Sequence, residues 1–213
     1  MDKAQNLVAI EMAENGPYLV KNLATLNNSK GEQLDTKETI ALCRCGGSKN
    51  KPFCDGTHAK NGFSGTNLSD SRNDTRTTYR GEKIAIHDNR AICAHAGACT
   101  DGLSSVWRLG VEPWIDPDGA DVDAIIETVR RCPSGALSYS IESVEHRDVE
   151  RDPAIYVCNN GPYRVTGGID LKDVSWGEGA STEHYTLCRC GASKNKPFCD
   201  GAHWRIKFQD NDN

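Results

Sequence analysis

The feature that most constrains this chain is an internal repeat. Residues 43–58 read CRCGGSKNKPFCDGTH and residues 188–203 read CRCGASKNKPFCDGAH, an offset of 145 at which only positions 47 and 57 differ from their counterparts. The same offset places Asn15-Gly16-Pro17-Tyr18 on Asn160-Gly161-Pro162-Tyr163, Ile10 on Ile155, Leu42 on Leu187 and Phe63 on Phe208. Two homologous units therefore run over about 6–64 and 152–210, and what they retain is concentrated around cysteines. A site has been duplicated, and a third segment lies between the copies.

The boundaries follow from composition. Residues 64–76 are rich in Ser, Asn and Asp, and residues 143–153 are charged and close on a proline, so both read as linkers. The division expected is 1–66, 77–142 and 150–213. In the outer units Val8–Glu11, Tyr18–Val20 and Thr39–Leu42 are candidate strands, with Asn15-Gly16-Pro17 as a turn between the first two. The cysteine stretch holds too much Gly and Pro to be regular and reads as a loop leading into a short helix. In the middle segment Lys83–His87 and Leu137–Ile141 alternate like strands, and Trp114–Asp116 reads as a short extended piece. Val122, Ile125, Ile126 and Val129 fall at helical spacing and predict a helix over 121–131, ended by Cys132-Pro133. The fold class expected is α+β and β-rich.

Ten cysteines in 213 residues bear on the chemistry. No apolar run is long enough to span a bilayer, and the N-terminal residues lack the apolar stretch of a secretory signal. The expectation is a cytoplasmic chain, not membrane-bound, whose thiols stay reduced and serve as metal ligands. A net charge of −5 argues against binding nucleic acid, which needs a basic face. Neither a Gly-rich phosphate loop, nor G-x-S-x-G, nor H-E-x-x-H is present, and His87, His146 and His184 stand isolated, so no enzyme activity is expected.

Each copy offers C-x-C-x8-C-x3-H: Cys43, Cys45, Cys54 and His58, then Cys188, Cys190, Cys199 and His203. Three thiolates and an imidazole suit tetrahedral zinc or an iron–sulfur cluster. Zinc sites usually open with a wider C-x2–4-C clasp, which favours the cluster. Two irons need one pair of ligands on each side, which puts Cys43 with Cys45 and Cys54 with His58. Pro52 and Phe53 would fix the approach to Cys54, Asp55-Gly56 would form a turn with Asp accepting backbone N–H groups, and Ser48 would donate to a bridging sulfide. Arg44, Lys49 and Lys51, with Arg189, Lys194 and Lys196, would compensate the anionic cluster and steer an acidic redox partner. Cys158 aligns with Ala13 and reads as a packed strand thiol rather than a ligand.

Both copies resemble the CDGSH iron–sulfur family, through C-x-C-x2-S-x3-P-x-C-D-G-x-H and the upstream Asn-Gly-Pro-Tyr turn. Thr57 and Ala202 stand where the family name has Ser, at a position that is not a ligand. The resemblance implies a [2Fe–2S] cluster in each copy and small β-rich units that pair about a two-fold axis, here as an intramolecular pseudo-dimer that lets one chain stand as a monomer. The middle segment resembles divergent single-cluster ferredoxin domains through Cys93, His95, Cys99 and Cys132-Pro133-Ser134-Gly135-Ala136, with Ala96 where a further Cys would fall. This implies a ferredoxin-like α+β unit holding [3Fe–4S] on Cys93, Cys99 and Cys132, or [4Fe–4S] with His95 added. The function expected is electron transfer, proton-coupled through the His ligands, with a redox protein as partner. The rivals are a cluster store or donor serving an apo-protein, and a redox or iron sensor.

Overall fold

The computed structural model describes residues 7–71 and 74–210. Residues 1–6, 72–73 and 211–213, which fall in the expected first domain, first linker and last domain, lie outside the described residues. The first copy contributes strands β1 (Ala9–Met12), β2 (Tyr18–Lys21), β3 (Thr25–Asn27) and β4 (Thr39–Leu42). The middle unit runs β5 (Arg76–Arg80), β6 (Ala85–Asn89), α1 (Ala98–Gly102), α2 (Val122–Arg130), β7 (Leu137–Ile141) and β8 (Val144–His146). The second copy adds β9 (Ala154–Val157), β10 (Tyr163–Thr166), β11 (Asp170–Leu171), β12 (Tyr185–Leu187) and α3 (Ala202–Arg205).

The outer copies are built through each other. One sheet runs β11-β1-β2-β4 and the other β12-β10-β9-β3, so each borrows its fourth strand from the opposite copy. The borrowed strands pair in parallel, Ile10 opposite Leu171 and Leu26 opposite Ile155, and the two registers are images at the 145-residue offset. The reason is one of size. A unit of some 55 residues buries too little apolar surface to be comfortably stable alone, and exchange of an identical element is a low-cost remedy. Here the remedy merges the copies into one core, in which Ile10, Val20, Leu26 and Leu42 pack with Ile155, Val165, Leu171 and Leu187. The pseudo-dimer expected from the repeat is present within one chain.

The middle unit is an antiparallel sheet ordered β5-β6-β7-β8 with α2 laid across it. Ile125 and Val129 on the inner face of α2 meet Ile84, Ile86, Leu137 and Tyr139, and Trp107 is fully buried among them. β7 and α2 occupy the segments that periodicity marks. β5 and β8 do not, and β8 falls within the expected linker 143–153. It is an edge strand with all three residues exposed, held by backbone pairing and by His146 stacked on Tyr139 at 5.2 Å, so it needs no apolar alternation. Trp114–Asp116 forms no strand, only a bridge from Ile115 to Trp107.

The middle unit is fastened to the second copy. Asn195 Nδ2 donates to the Ala91 carbonyl at 2.9 Å, Asn89 Nδ2 to Glu178 at 3.0 Å, and Arg147 to Gly179 at 2.6 Å. The expected linker 64–76 is tied down too. Leu68 N donates to the Lys196 carbonyl at 2.7 Å, and Ser69 Oγ accepts Ser175 N at 3.1 Å.

If the exchanged strands hold the outer copies together, Leu26→Ala and Leu171→Ala should cost similar amounts, about 2–5 kcal/mol each. Urea unfolding of the intact chain measures this, and a cost below about 1 kcal/mol for both would contradict the merged core.

Candidate metal centres

The ligands are positioned by continuing the sheets past their last strands. After β4, Cys43 N donates to the Pro52 carbonyl at 2.7 Å and Cys54 N to the Ala41 carbonyl at 2.8 Å, so the loop folds back beside the strand that launched it. The second copy repeats this, Cys188 N to Pro197 at 2.7 Å and Cys199 N to Thr186 at 3.0 Å. Asp55 then accepts Lys49 N at 2.9 Å and Thr57 N at 3.0 Å, and these bonds hold its carboxyl well below the usual carboxylate range. Gly56, at φ +84°, turns the chain into the 3-10 segment that presents His58.

The donors fall into pairs. Cys43 Sγ lies 3.9 Å from Cys45 Sγ, and Cys54 Sγ lies 3.3 Å from His58 Nδ1. In the second copy Cys188 and Cys190 are 3.9 Å apart, and Cys199 is 3.5 Å from His203 Nδ1. A lone tetrahedral zinc would draw every pair of ligands to within about 4 Å. Among the described residues, the group of three or more possible ligands with all donor atoms within 4.8 Å is instead Asp148, Glu183 and His184. Each cysteine–histidine set thus divides into a thiol–thiol pair and a thiol–imidazole pair, and no three of its donor atoms lie within 4.8 Å of one another among the described residues.

Their electrostatics suit a cationic guest. Burial pushes the Cys43 thiol up to about 11 and drives Cys199 far above its ordinary value, so thiolates here are costly until a cation arrives. Amides are already aimed at the sulfurs: Gly47 N at Cys45, Gly56 N at Cys54 and Gly201 N at Cys199, each 3.4 Å.

The two sites are held from opposite copies. Tyr18 Oη donates to the carbonyls of Cys188 and Pro197, both at 3.0 Å, while Tyr163 Oη donates to those of Cys43 at 2.9 Å and Pro52 at 3.0 Å. Their rings meet edge-on at 6.2 Å. Gly46 and Gly191 pack against Cys190 and Cys45, where a Cβ would sit 2.6 Å from the facing carbonyl oxygen. Sequence reasoning assigned the tyrosines no role, though their retention in both Asn-Gly-Pro-Tyr turns was the available signal.

Four expectations need correction. The Ser48 hydroxyl is taken up within the loop; it donates to the Phe53 carbonyl at 2.7 Å and accepts Asn50 N at 3.0 Å, as Ser193 does with Phe198 and Asn195, so it braces the loop. Arg44 and Arg189 are not steering charges, being buried. Arg44 holds the Gly65 carbonyl at 2.7 Å, and Arg189 holds Asp210 and the Gly161 and Cys158 carbonyls, locking the end of each copy to its turn. Cys158 is half-buried in the turn after β9, not on a strand. His184 is not isolated either: its Nδ1 lies 2.8 Å from Glu183 and 3.7 Å from Asp148.

The copies differ in exposure. Cys54 and His58 are half-buried, whereas Cys199 and His203 are only 3% and 5% exposed. The difference comes from the middle unit, whose His95 ring lies on Gly201 so closely that a Cβ there would stand 3.0 Å from that of His95. His95 itself stands at φ +52°. Just behind it Cys93, Cys99 and Cys132 line one cavity of about 180 Å³ with Asp88 and Trp114. Cys93 follows a 3-10 turn, Cys99 sits in α1 and Cys132 follows α2, so three separate elements converge. Burial pushes Cys93 up to about 12, and His95 N donates to its sulfur at 3.4 Å.

Residues 15–59 and 160–204 match the family of iron-binding zinc fingers of CDGSH type. The chain carries two CDGSH-type iron-binding domains. Between the two CDGSH copies, residues 79–142 match a divergent 4Fe–4S mono-cluster family. The chain is also similar to the uncharacterized protein YjdI of Escherichia coli K12, with 46% identity over 61 residues, covering 29% of this chain and 80% of that protein; YjdI of Escherichia coli O157:H7 matches equally. No solved structure matches the chain. Family and donor sets together make it an iron–sulfur binding protein. Among the described residues no helix is long and apolar enough to cross a membrane.

The crossed tyrosines generate a test. Removing the Tyr163 hydroxyl weakens the loop of the first CDGSH site, at a cost of about 1–3 kcal/mol. In chains whose second site is disabled by Cys199→Ser, adding Tyr163→Phe should therefore speed iron release to a chelator. An unchanged release rate would show that the hydroxyl does not support the opposite site.

Proposed function

We propose that the chain is an electron carrier with a [2Fe–2S] cluster in each CDGSH copy and a further cluster in the middle cavity, acting on a redox protein and catalysing no reaction of its own. The observation that carries this is the division of each donor set into two pairs. One pair is thiol–thiol and the other thiol–imidazole, which matches two irons, one per pair. The bound clusters would supply one-electron chemistry. The rest is set by the chain. A neutral imidazole in place of a thiolate withholds one negative charge, which favours the reduced state over an all-Cys set. Nδ1 faces the cysteine in both copies, leaving Nε2 as the position where a proton is held. At His58 that ring is partly open to water, so electron and proton gain are coupled most freely in the first copy.

Exposure also separates the copies by pH. The neutral imidazole is the ligand form, and it is lost as pH falls through the imidazole's own pKa. Burial pushes His203 below its ordinary value, so its neutral form persists to lower pH, and the middle unit screens it from water. Acidification should bleach the protein in two phases, with the first copy faster, and His58→Cys should remove the fast phase. A single phase, or loss of the fast phase in His203→Cys instead, would contradict this ordering.

A cluster donor is the second reading, favoured by the half-open Cys54–His58 end of the first site. Incubation with an apo-ferredoxin distinguishes the two. The carrier exchanges electrons and keeps its colour; the donor transfers its colour to the acceptor.

A further inference from the structure

Strand β6 and the residue before it turn Ile84, Ile86 and Asp88 to the buried side of the middle sheet. Two of them are ordinary core residues. The third is a carboxylate only 2% exposed, and it lines the cavity that holds Cys93, Cys99 and Cys132. Its Oδ2 is completely buried and has no hydrogen-bond partner among the described residues. Arg90, the cation whose field reaches it, has its guanidinium stacked 4.6 Å over the Trp114 ring. The carboxylate is also near enough to Cys93 and Cys99 for their charges to repel.

A buried carboxylate oxygen without a partner is costly, and such groups are paired or bind metal. Four potentially anionic donors around one apolar cavity are reconciled by a cationic core. The three thiols come from three elements, and their sulfurs do not all lie within 4.8 Å of one another. They leave one corner of a four-iron cube without a ligand, because Ala96 stands where the spacing calls for a cysteine. His95, the alternative, also lines the cavity, but its ring is packed on Gly201 of the second CDGSH copy. Carboxylate oxygen is an accepted iron ligand.

We propose that Asp88 is the fourth ligand of a four-iron cluster in the middle site, holding through oxygen the iron that Cys93, Cys99 and Cys132 leave uncovered. The assignment rests on the reading that this cavity holds a cluster. It makes the corner at Asp88 chemically unlike the three thiolate corners, and it removes the need for His95, whose place is then at the contact between the middle unit and the second copy.

The full chain, reconstituted without oxygen, tests this by iron content per chain and by electron paramagnetic resonance in both oxidation states. Asp88→Ala should hold one iron fewer than wild type and show a three-iron signal when oxidised. Asp88→Cys and His95→Ala should keep the wild-type iron content and a four-iron signal on reduction. Loss of all middle iron in Asp88→Ala, with full retention in Asp88→Cys, also supports the assignment. A wild-type three-iron site, Asp88→Ala with unchanged iron, iron missing from both Asp88 variants, or His95→Ala as the variant that loses an iron would each overturn it. Identical iron content in wild type and Cys93→Ser/Cys99→Ser would overturn the assignment and the cluster reading together, which separates the two failures.

Discussion

Everything in the outer half of this protein depends on an exchange of two short strands. β3 and β11 are three and two residues long and leave their own copies to pair in parallel with β9 and β1. The exchange covers a sheet edge in each copy and joins two small cores into one. It also sets the geometry of the metal sites, because merged sheets place Tyr18 beneath one cysteine loop and Tyr163 beneath the other. Each copy supplies all four donors of its own CDGSH site, but the loop that carries them is braced by a tyrosine of the other. The duplication is therefore more than a doubling of capacity: each copy is part of the other's scaffold.

Much of this was legible in the sequence, for a physical reason. Metal ligands, turns and amphipathic helices are written locally. C-x-C-x8-C-x3-H lies within sixteen residues, Asp55-Gly56 is a turn by its own chemistry, and α2 carries its apolar face at helical spacing. The parts that were not legible depend on distant chain. Thr25-Leu26-Asn27 is too short to show a period, and nothing in it names a partner 129 residues away. β8 is an edge strand with no buried face. Arg44 and Arg189 carry the same formal charge as Lys49, and only folding shows that they are interior clamps. Ser48 looks like a sulfur donor until the loop around it closes on the Phe53 carbonyl.

The middle unit breaks the symmetry that the duplication created. By docking on the second copy, it buries Cys199 and His203 while Cys54 and His58 stay partly open. Two sites of nearly identical sequence thereby acquire different access to water, protons and partners. His95 on Gly201 and Asn195 on Ala91 are the contacts that make the difference, and both join the middle unit to the ligand loop itself. In a protein built from one site used twice, docking of a third unit is what gives the two copies different exposure.

The central claim is that each CDGSH set grips a pair of irons, not a single ion. It is met most directly by counting iron, zinc and acid-labile sulfide in a chain whose middle cysteines, Cys93, Cys99 and Cys132, are replaced by serine. Two irons and two sulfides for each CDGSH copy, with no zinc, is the result expected. One metal ion per copy without sulfide would contradict the account.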